Sequence, residues 1–144
     1  MRVLVQRSLN SKVEVDNKTI GSITNGLVLL VGFTENDNID TIKYLVRKII
    51  NLRIFDDESG VMNKSILDVG GSVLSISQFT LYADTSKGNR PSYMNALGGD
   101  EATSLYDMFN EELRKYVRVE TGEFGADMKV SITNDGPVTI MLER

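Results

Sequence analysis

The chain contains no histidine and no cysteine. Without histidine there is no imidazole to act as general acid or base, and no Ser-His or Cys-His dyad. Without cysteine, thiolate nucleophiles, disulfides and ordinary zinc sites are excluded too. Any catalysis must use carboxylates, hydroxyls, Lys or Arg, backbone dipoles, a hard cation held by oxygens, or the substrate itself. A basic surplus is also missing: 16 Lys and Arg against 20 Asp and Glu leave a net charge of −4. That argues against extensive polyanion binding, though not against a local basic patch. No apolar run approaches the ~20 residues that cross a bilayer, and Met1–Arg7 turns polar too soon for a signal peptide. With the absence of cysteine, these features suit a cytoplasmic protein with no membrane partner.

What is present fits one domain spanning 1–144, long enough for a core of its own. Ser72–Ala83 is rich in β-branched and aromatic residues and apolar at both parities, which predicts a strand covered on both faces. Gln78 is its anomaly, because a buried amide costs a few kcal/mol unless it finds partners. Those partners are either a structural network or a ligand. Arg2–Leu9 alternates as a strand, placing Arg7 beside Val3 and Val5. Such a guanidinium either reaches to solvent past the strand end or meets a carboxylate, carbonyls or a ligand. Lys12–Asp16 and Lys18–Ile23 flank Asn17 as a hairpin, and Asn25-Gly26 signals a turn before Leu27–Phe33. Four successive strands at this spacing predict a meander or small barrel-like sheet.

Asp37 or Asn38 can cap a helix whose Ile42, Leu45, Val46, Ile49 and Leu52 form an apolar stripe. Its Lys43, Arg47, Lys48 and Arg53 read as a solvated face, with contact to phosphate as the alternative. Phe55–Gly60 reads as an acidic turn with no EF-hand spacing. Asp84–Pro91 is a polar loop carrying Lys87 and Arg90, and loops beside rigid strands often carry function. A second amphipathic helix is predicted over about Asp100–Val117, with Ala102, Leu105, Tyr106, Phe109 and Leu113 inward. The chain closes with alternation over Met128–Thr133 and Val138–Glu143. This predicts a hairpin joined at Asn134-Asp135-Gly136-Pro137, an unusual turn because proline withholds a donor. The expected fold is α+β: a single-domain, barrel-like, mainly antiparallel core with two helices packed on it.

Ser77-Gln78-Phe79-Thr80-Leu81 and Asn134-Asp135-Gly136-Pro137-Val138-Thr139 together resemble the two signature motifs of the D-aminoacyl-tRNA deacylases. Gln6-Arg7, Arg53-Ile54-Phe55, Gly70–Leu74, Arg90-Pro91-Ser92 and Thr121–Met128 fall in the family's order, so the resemblance runs the length of the chain. Departures are small: Tyr93 stands where Phe is common, and Ser8 where an aliphatic residue is usual.

The resemblance implies hydrolysis of the ester joining a D-amino acid, or glycine, to the terminal adenosine of tRNA, with no cofactor and no metal. It implies a homodimer in which a cis Gly136-Pro137 reaches from one subunit into the site of the other. There its carbonyls would obstruct an L side chain, and Arg7 would brace the turn. Ser77, Gln78, Phe79 and Thr80 would form the reacting site, with Phe79 stacking on adenine and backbone N–H groups holding the ester oxygen. Lys87 and Arg90 would meet phosphates of the acceptor end. Thr80 is a poor nucleophile without a base. Assistance by the substrate's own 2′-hydroxyl fits the composition better. Two rivals remain at this point. Some relatives are associated with DNA-replication origins and usually carry extra C-terminal sequence, which is not expected of a chain ending at Arg144. A general esterase would need a base or nucleophile that this composition withholds.

Overall fold

The structure is a computed structural model describing residues 1–144. Its spine is an antiparallel ribbon of β1 (Arg2–Val15) and β2 (Lys18–Gly32). Asp16 and Asn17 close the ribbon with φ of 49° and 62°, the left-handed pair that a two-residue hairpin turn demands. The predicted four-strand run is therefore two strands. The segments Arg2–Leu9 and Lys12–Asp16 are one strand bent at Asn10 (φ 41°). Asn25-Gly26 is not a turn: Gly26 stays in β2 between Ser8 and Ser72. A Cβ there would sit 1.8 Å from the Ser72 carbonyl oxygen, so the glycine permits close backbone approach rather than reversal.

Past β2 come α1 (Ile39–Ile50), the two-stranded sheet of β3 (Phe55–Asp56) and β4 (Met62–Lys64), and the short α2 (Ile66–Val69). Then follow β5 (Ser72–Ser77), α3 (Gly99–Arg114), β6 (Arg118–Thr121) and β7 (Lys129–Glu143). The main sheet has the order β6-β5-β2-β1-β7. The fold is α+β as expected, but the sheet is mixed rather than mainly antiparallel. The β2–β5 and β5–β6 pairs are parallel, because helical crossovers join these strands and return the chain in the same direction. A third helix, α2, joins the two expected.

Both long helices lie where their stripes predict. Asn38, not Asp37, caps α1: its Oδ1 accepts from the N–H groups of Asp40 and Thr41 at 2.9 and 3.2 Å. Asp37 instead holds the Met1 ammonium at 2.7 Å. Ile42, Leu45, Val46 and Ile49 of α1, with Leu105, Phe109 and Leu113 of α3, cover one sheet face formed by Val3, Val5, Leu27, Leu29 and Val31. Phe109 is fully buried, and truncating it to alanine should cost about 3–5 kcal/mol. On the opposite face Val28, Leu74 and Ile76 meet Val13, Ile23 and Met128. Beyond the bend at Asn10 the ribbon's far half lies over that face, where a Cβ on Gly21 would stand 2.9 Å from the Thr121 carbonyl oxygen and 3.4 Å from Leu74.

The predicted closing hairpin is absent. Lys129–Glu143 runs once along β1 as an edge strand, from Glu14↔Lys129 to Arg2↔Glu143. Its register jumps from Ser8↔Asn134 to Gln6↔Thr139. Asp135–Val138 therefore stand out from the ladder opposite Arg7. The turn-like residues mark a protrusion from one strand, not a reversal between two. No helix is long and apolar enough to cross a membrane.

Candidate active site

β5 ends sooner than its sequence predicts. Ser77 still pairs with Val31, and the Gln78 N–H donates to the Val31 carbonyl at 2.6 Å. The chain then leaves the sheet in a 3-10 turn over Phe79–Tyr82. The strand alternation expected for Phe79–Tyr82 is thereby lost: Phe79 is 53% exposed, while Tyr82 is buried at 8%. The Phe79 ring rests edge-on against Tyr93, centroids 5.1 Å apart. The main chains of Asp84 and Ser92 bond reciprocally at 2.8 and 2.9 Å and tie off the loop between them.

Gln78 is half-buried at the strand's end, not enclosed in a central strand. Its amide Nε2 donates to Thr80 Oγ1 at 2.5 Å. The Thr80 hydroxyl thus spends a lone pair on an amide, which cannot remove its proton. Leu81 N–H reaches the Gln78 carbonyl at 3.3 Å. The N–H groups of Phe79 and Thr80, at the start of the turn, have no partner within it.

Beside this turn lies a cleft of about 290 Å³, floored by Ile76, Ser77, Gln78 and Phe79 and walled by Phe33, Leu97, Phe124–Ala126 and Met128. None of its lining side chains is ionisable. In the turn bordering the cleft, the buried phenol of Tyr82 is pushed up to about 12, first by burial and then by the Asp37 carboxylate. Burial likewise raises Tyr106, whose hydroxyl donates to the Ser75 carbonyl at 2.8 Å beneath the cleft. The Tyr106 ring supports Phe124, centroids 5.8 Å apart. The wall residues Phe124, Gly125, Ala126 and Met128 had no assigned role in the sequence, although Thr121–Met128 contributed to the resemblance. A loop that packs from β6 onto β5 gives no local signal of what it faces.

Gly136 and Pro137 do not line this cleft. Their peptide bond is cis and both residues are exposed. β7 is three strands from β5, or ~14 Å at ~4.8 Å per strand, and Arg7 lies four residues along the register from Ser77. The separation is thus on the order of 20 Å.

Arg7, by contrast, sits at this protrusion, 8% exposed. Its Nη1 donates to the Ile54 carbonyl at 2.8 Å and to Asp56 Oδ1 at 3.2 Å. Its Nε lies 2.9 Å from Asp135 Oδ2, an ion pair whose N–H is misaligned for a hydrogen bond. A Cβ on Gly136 (φ 117°) would stand 3.2 Å from Arg7 Nη2. The alternative in which Arg7 meets carbonyls and carboxylates is the one realised. Lys87 and Arg90 are exposed in their loop, outside the cleft.

Residues 4–143 match the family model described as D-Tyr-tRNA(Tyr) deacylase. D-aminoacyl-tRNA deacylases of Clostridium botulinum, strains 657 and Langeland, are each 60% identical over 144 residues, covering 99% of this chain and 97% of those proteins. A solved structure described as c-Myc DNA Unwinding Element Binding Protein superposes with a TM-score of 0.95 at 42% identity, over 100% of this chain and 99% of that one. A second, described as a probable eukaryotic D-amino acid tRNA deacylase, superposes at 0.84 with 18% identity over 98% and 97%. The latter shares the fold.

Proposed function

The chain belongs to the D-Tyr-tRNA(Tyr) deacylase family, and we propose that the cleft at the end of β5 receives the esterified adenosine of a D-aminoacyl-tRNA. The reaction is ester hydrolysis. Water adds to the acyl carbon, the bond from that carbon to the ribose oxygen breaks, and the departing oxygen takes a proton. Free D-amino acid and tRNA result. The lack of any ionisable side chain around the cleft carries the mechanistic reading. With no protein base at hand, the ribose 2′-hydroxyl beside the ester assists the attack, and the protein supplies position and backbone dipoles.

In this reading Phe79 stacks on adenine, for which its exposed ring is suited. Ser77 and Gln78 orient the terminal nucleotide, and the free N–H groups of Phe79 and Thr80 hold the ester oxygen. Thr80 binds rather than attacks, consistent with its hydroxyl accepting from Gln78. Lys87 and Arg90, exposed in the loop next along the chain, meet acceptor-end phosphates in this reading.

Gly136-Pro137 acts in trans. It lies some 20 Å from its own cleft, exposed and braced by Arg7, so a second copy of the chain must bring it to the reacting centre. There its carbonyls obstruct an L substituent on the α-carbon and pass a D substituent or the hydrogen of glycine. Glycyl-tRNA is then a second substrate. Selection by obstruction needs a fixed obstacle, and the Arg7 contacts supply one. The relative described as a DNA-unwinding-element binder supports a second reading, a nucleic-acid-binding module. The net charge of −4 weighs against broad DNA contact.

Single-turnover hydrolysis of matched D- and L-tyrosyl-tRNA tests the assignment. Only the D ester should be cleaved, and Thr80→Ala should retain activity within about tenfold. A terminal 2′-deoxyadenosine should reduce the rate by about 10²–10⁴, the usual weight of a general acid or base. Loss of activity in a folded Thr80→Ala protein, with the deoxy substrate unaffected, would restore the threonine nucleophile. No cleavage of either ester would leave the binding module.

A further inference from the structure

We propose that Lys43, Arg47, Lys48 and Arg144 form a phosphate-docking site for the RNA strand leading to the esterified adenosine, an inference resting on the deacylase reading above. From sequence alone the helical cations read as a solvated face, with contact to phosphate as the alternative. What changes the reading is Arg144, which the end of β7 brings to α1. Its guanidinium lies 4.8 Å over the Tyr44 ring, and Lys48 Nζ lies 5.8 Å from the same ring. Arg144, Lys43, Tyr44 and Arg47 line a polar cleft of about 510 Å³, with Asn38, Thr41 and the side chain of Asp40. The aromatic ring holds two of the cations by its quadrupole.

Like charges four apart on a helix, as Lys43 and Arg47 are, repel and disfavour it. In an acidic chain one expects carboxylates to relieve them. Elsewhere several cations are relieved in this way: Arg2, Arg114 and Arg118 meet carboxylates at 3.0, 2.7 and 2.7 Å, although Lys18, Arg53, Lys87, Arg90 and Lys129 do not. None of the four cations around Tyr44 forms an ion pair. All four are exposed, and their donors remain free for a polyanion.

The position fits the same substrate. Arg144 N–H donates to the Met1 carbonyl at 3.1 Å, and the Met1 ammonium returns a bond at 2.8 Å. Arg2 pairs with Gly32, and Gln78 N–H reaches Val31. Arg144 and Gln78 are therefore on one rim of the sheet. Three strand spacings separate them, ~14 Å, about four stacked nucleotides at ~3.4 Å each. A strand whose last adenosine enters the cleft at Phe79 can run its phosphates along this rim to α1.

The test compares wild type with K43Q/R47Q/K48Q, and with R144A as a second variant outside the helix. Glutamine is nearly as good a helix former as lysine or arginine, and K43R/K48R is the charge-keeping control. Each protein is assayed on D-tyrosyl-tRNA and D-tyrosyl-adenosine, and titrated with an uncharged acceptor-stem minihelix across about 50–200 mM salt. The triple variant should raise KM for the tRNA about tenfold or more at low salt with kcat kept. Its minihelix salt slope should be shallower by about 2, at ~0.7 per single-strand phosphate. Hydrolysis of D-tyrosyl-adenosine should be unchanged, R144A should show a smaller shift of the same kind, and K43R/K48R none. An unchanged tRNA KM and salt slope, or an equal loss on D-tyrosyl-adenosine, overturns the proposal. Should wild type cleave neither ester, the deacylase reading falls, and the minihelix salt slope alone decides whether this RNA site exists.

Discussion

At the end of β5 the chain offers an aromatic ring, amide groups and backbone around a cleft without an ionisable side chain. At the protrusion of β7 it offers the reverse: an exposed Gly136-Pro137, and behind it Arg7 tied to Asp135, Asp56 and the Ile54 carbonyl. The first region has the form of a receptor, the second that of a braced probe. In the proposed mechanism the two meet only between subunits, so binding and stereochemical choice are carried by separate parts of the chain. Each part should then fail in its own way when it is damaged.

The sharpest way to break the comparison is Arg7→Ala. The substitution leaves the Ile54 carbonyl and Asp135 without their partner. Because both aspartates are substantially exposed, the stability cost should be about 1–3 kcal/mol, well below that of a fully buried pair. The effect on selectivity should be larger. If the protrusion loosens, L-tyrosyl-tRNA gains entry and the D-to-L rate ratio falls by about 100-fold, equivalent to ~2.8 kcal/mol of discrimination. The rate on the D ester should fall less. A preserved ratio in a folded variant would show that Gly136-Pro137 does not choose the stereoisomer.

Phe79→Ala probes the other region and should give the opposite signature. The ring is half exposed, so stability should change by no more than about 0.5 kcal/mol. Loss of a base-stacking surface costs about 1–3 kcal/mol, which should lower kcat/KM on D-tyrosyl-tRNA by about 5–150-fold. The D-to-L ratio should stay as in wild type. A change in that ratio would mean that the two regions are not separable.

These two regions were unequally legible in the sequence. The β5 motif is legible, yet its sequence predicts a strand through Ala83, because Phe79–Tyr82 has the apolar character of one, whereas the strand ends at Ser77. That the chain turns after Gln78 depends on Val31 and Gly32 ending the neighbouring strand, which no local pattern reports. Asn25-Gly26 and Asn134–Pro137 carry the same turn chemistry as Asp16-Asn17, but only the last reverses the chain. In the other two, glycine serves a close approach to Ser72 and a protrusion beside Arg7. The starts and inward faces of helices α1 and α3 are legible because a 3.6-residue stripe is local and strong, but the stripes run past the observed ends, to Leu52 against Ile50 and to Val117 against Arg114. The parallel pairing of β2, β5 and β6 was missed because strand partners are chosen across the fold.

The smallest effect separates the regions by the forces that hold them. The turn after Thr80 is anchored by Tyr82, buried with Arg2 lying 4.6 Å over its ring. Its hydroxyl is pushed up to about 12, chiefly by burial, against ~10 in an unfolded chain. The native state therefore holds this proton more tightly than the unfolded state does. The resulting stability is complete below about pH 10 and is lost as pH rises through about 12. After allowance for solvent reaching the hydroxyl, this amounts to ~1 kcal/mol. Urea midpoints at about pH 8 and pH 11, halfway through that window, should show wild type losing ~0.5 kcal/mol more than Tyr82→Phe. The protrusion depends instead on ion pairs with partly exposed aspartates, which salt screens. Raising salt should erode D-to-L selectivity before it erodes the fold. Raising pH should loosen the turn below Phe79 before it touches selectivity. Equal sensitivity of both properties to either agent would mean that receptor and probe are one cooperative unit.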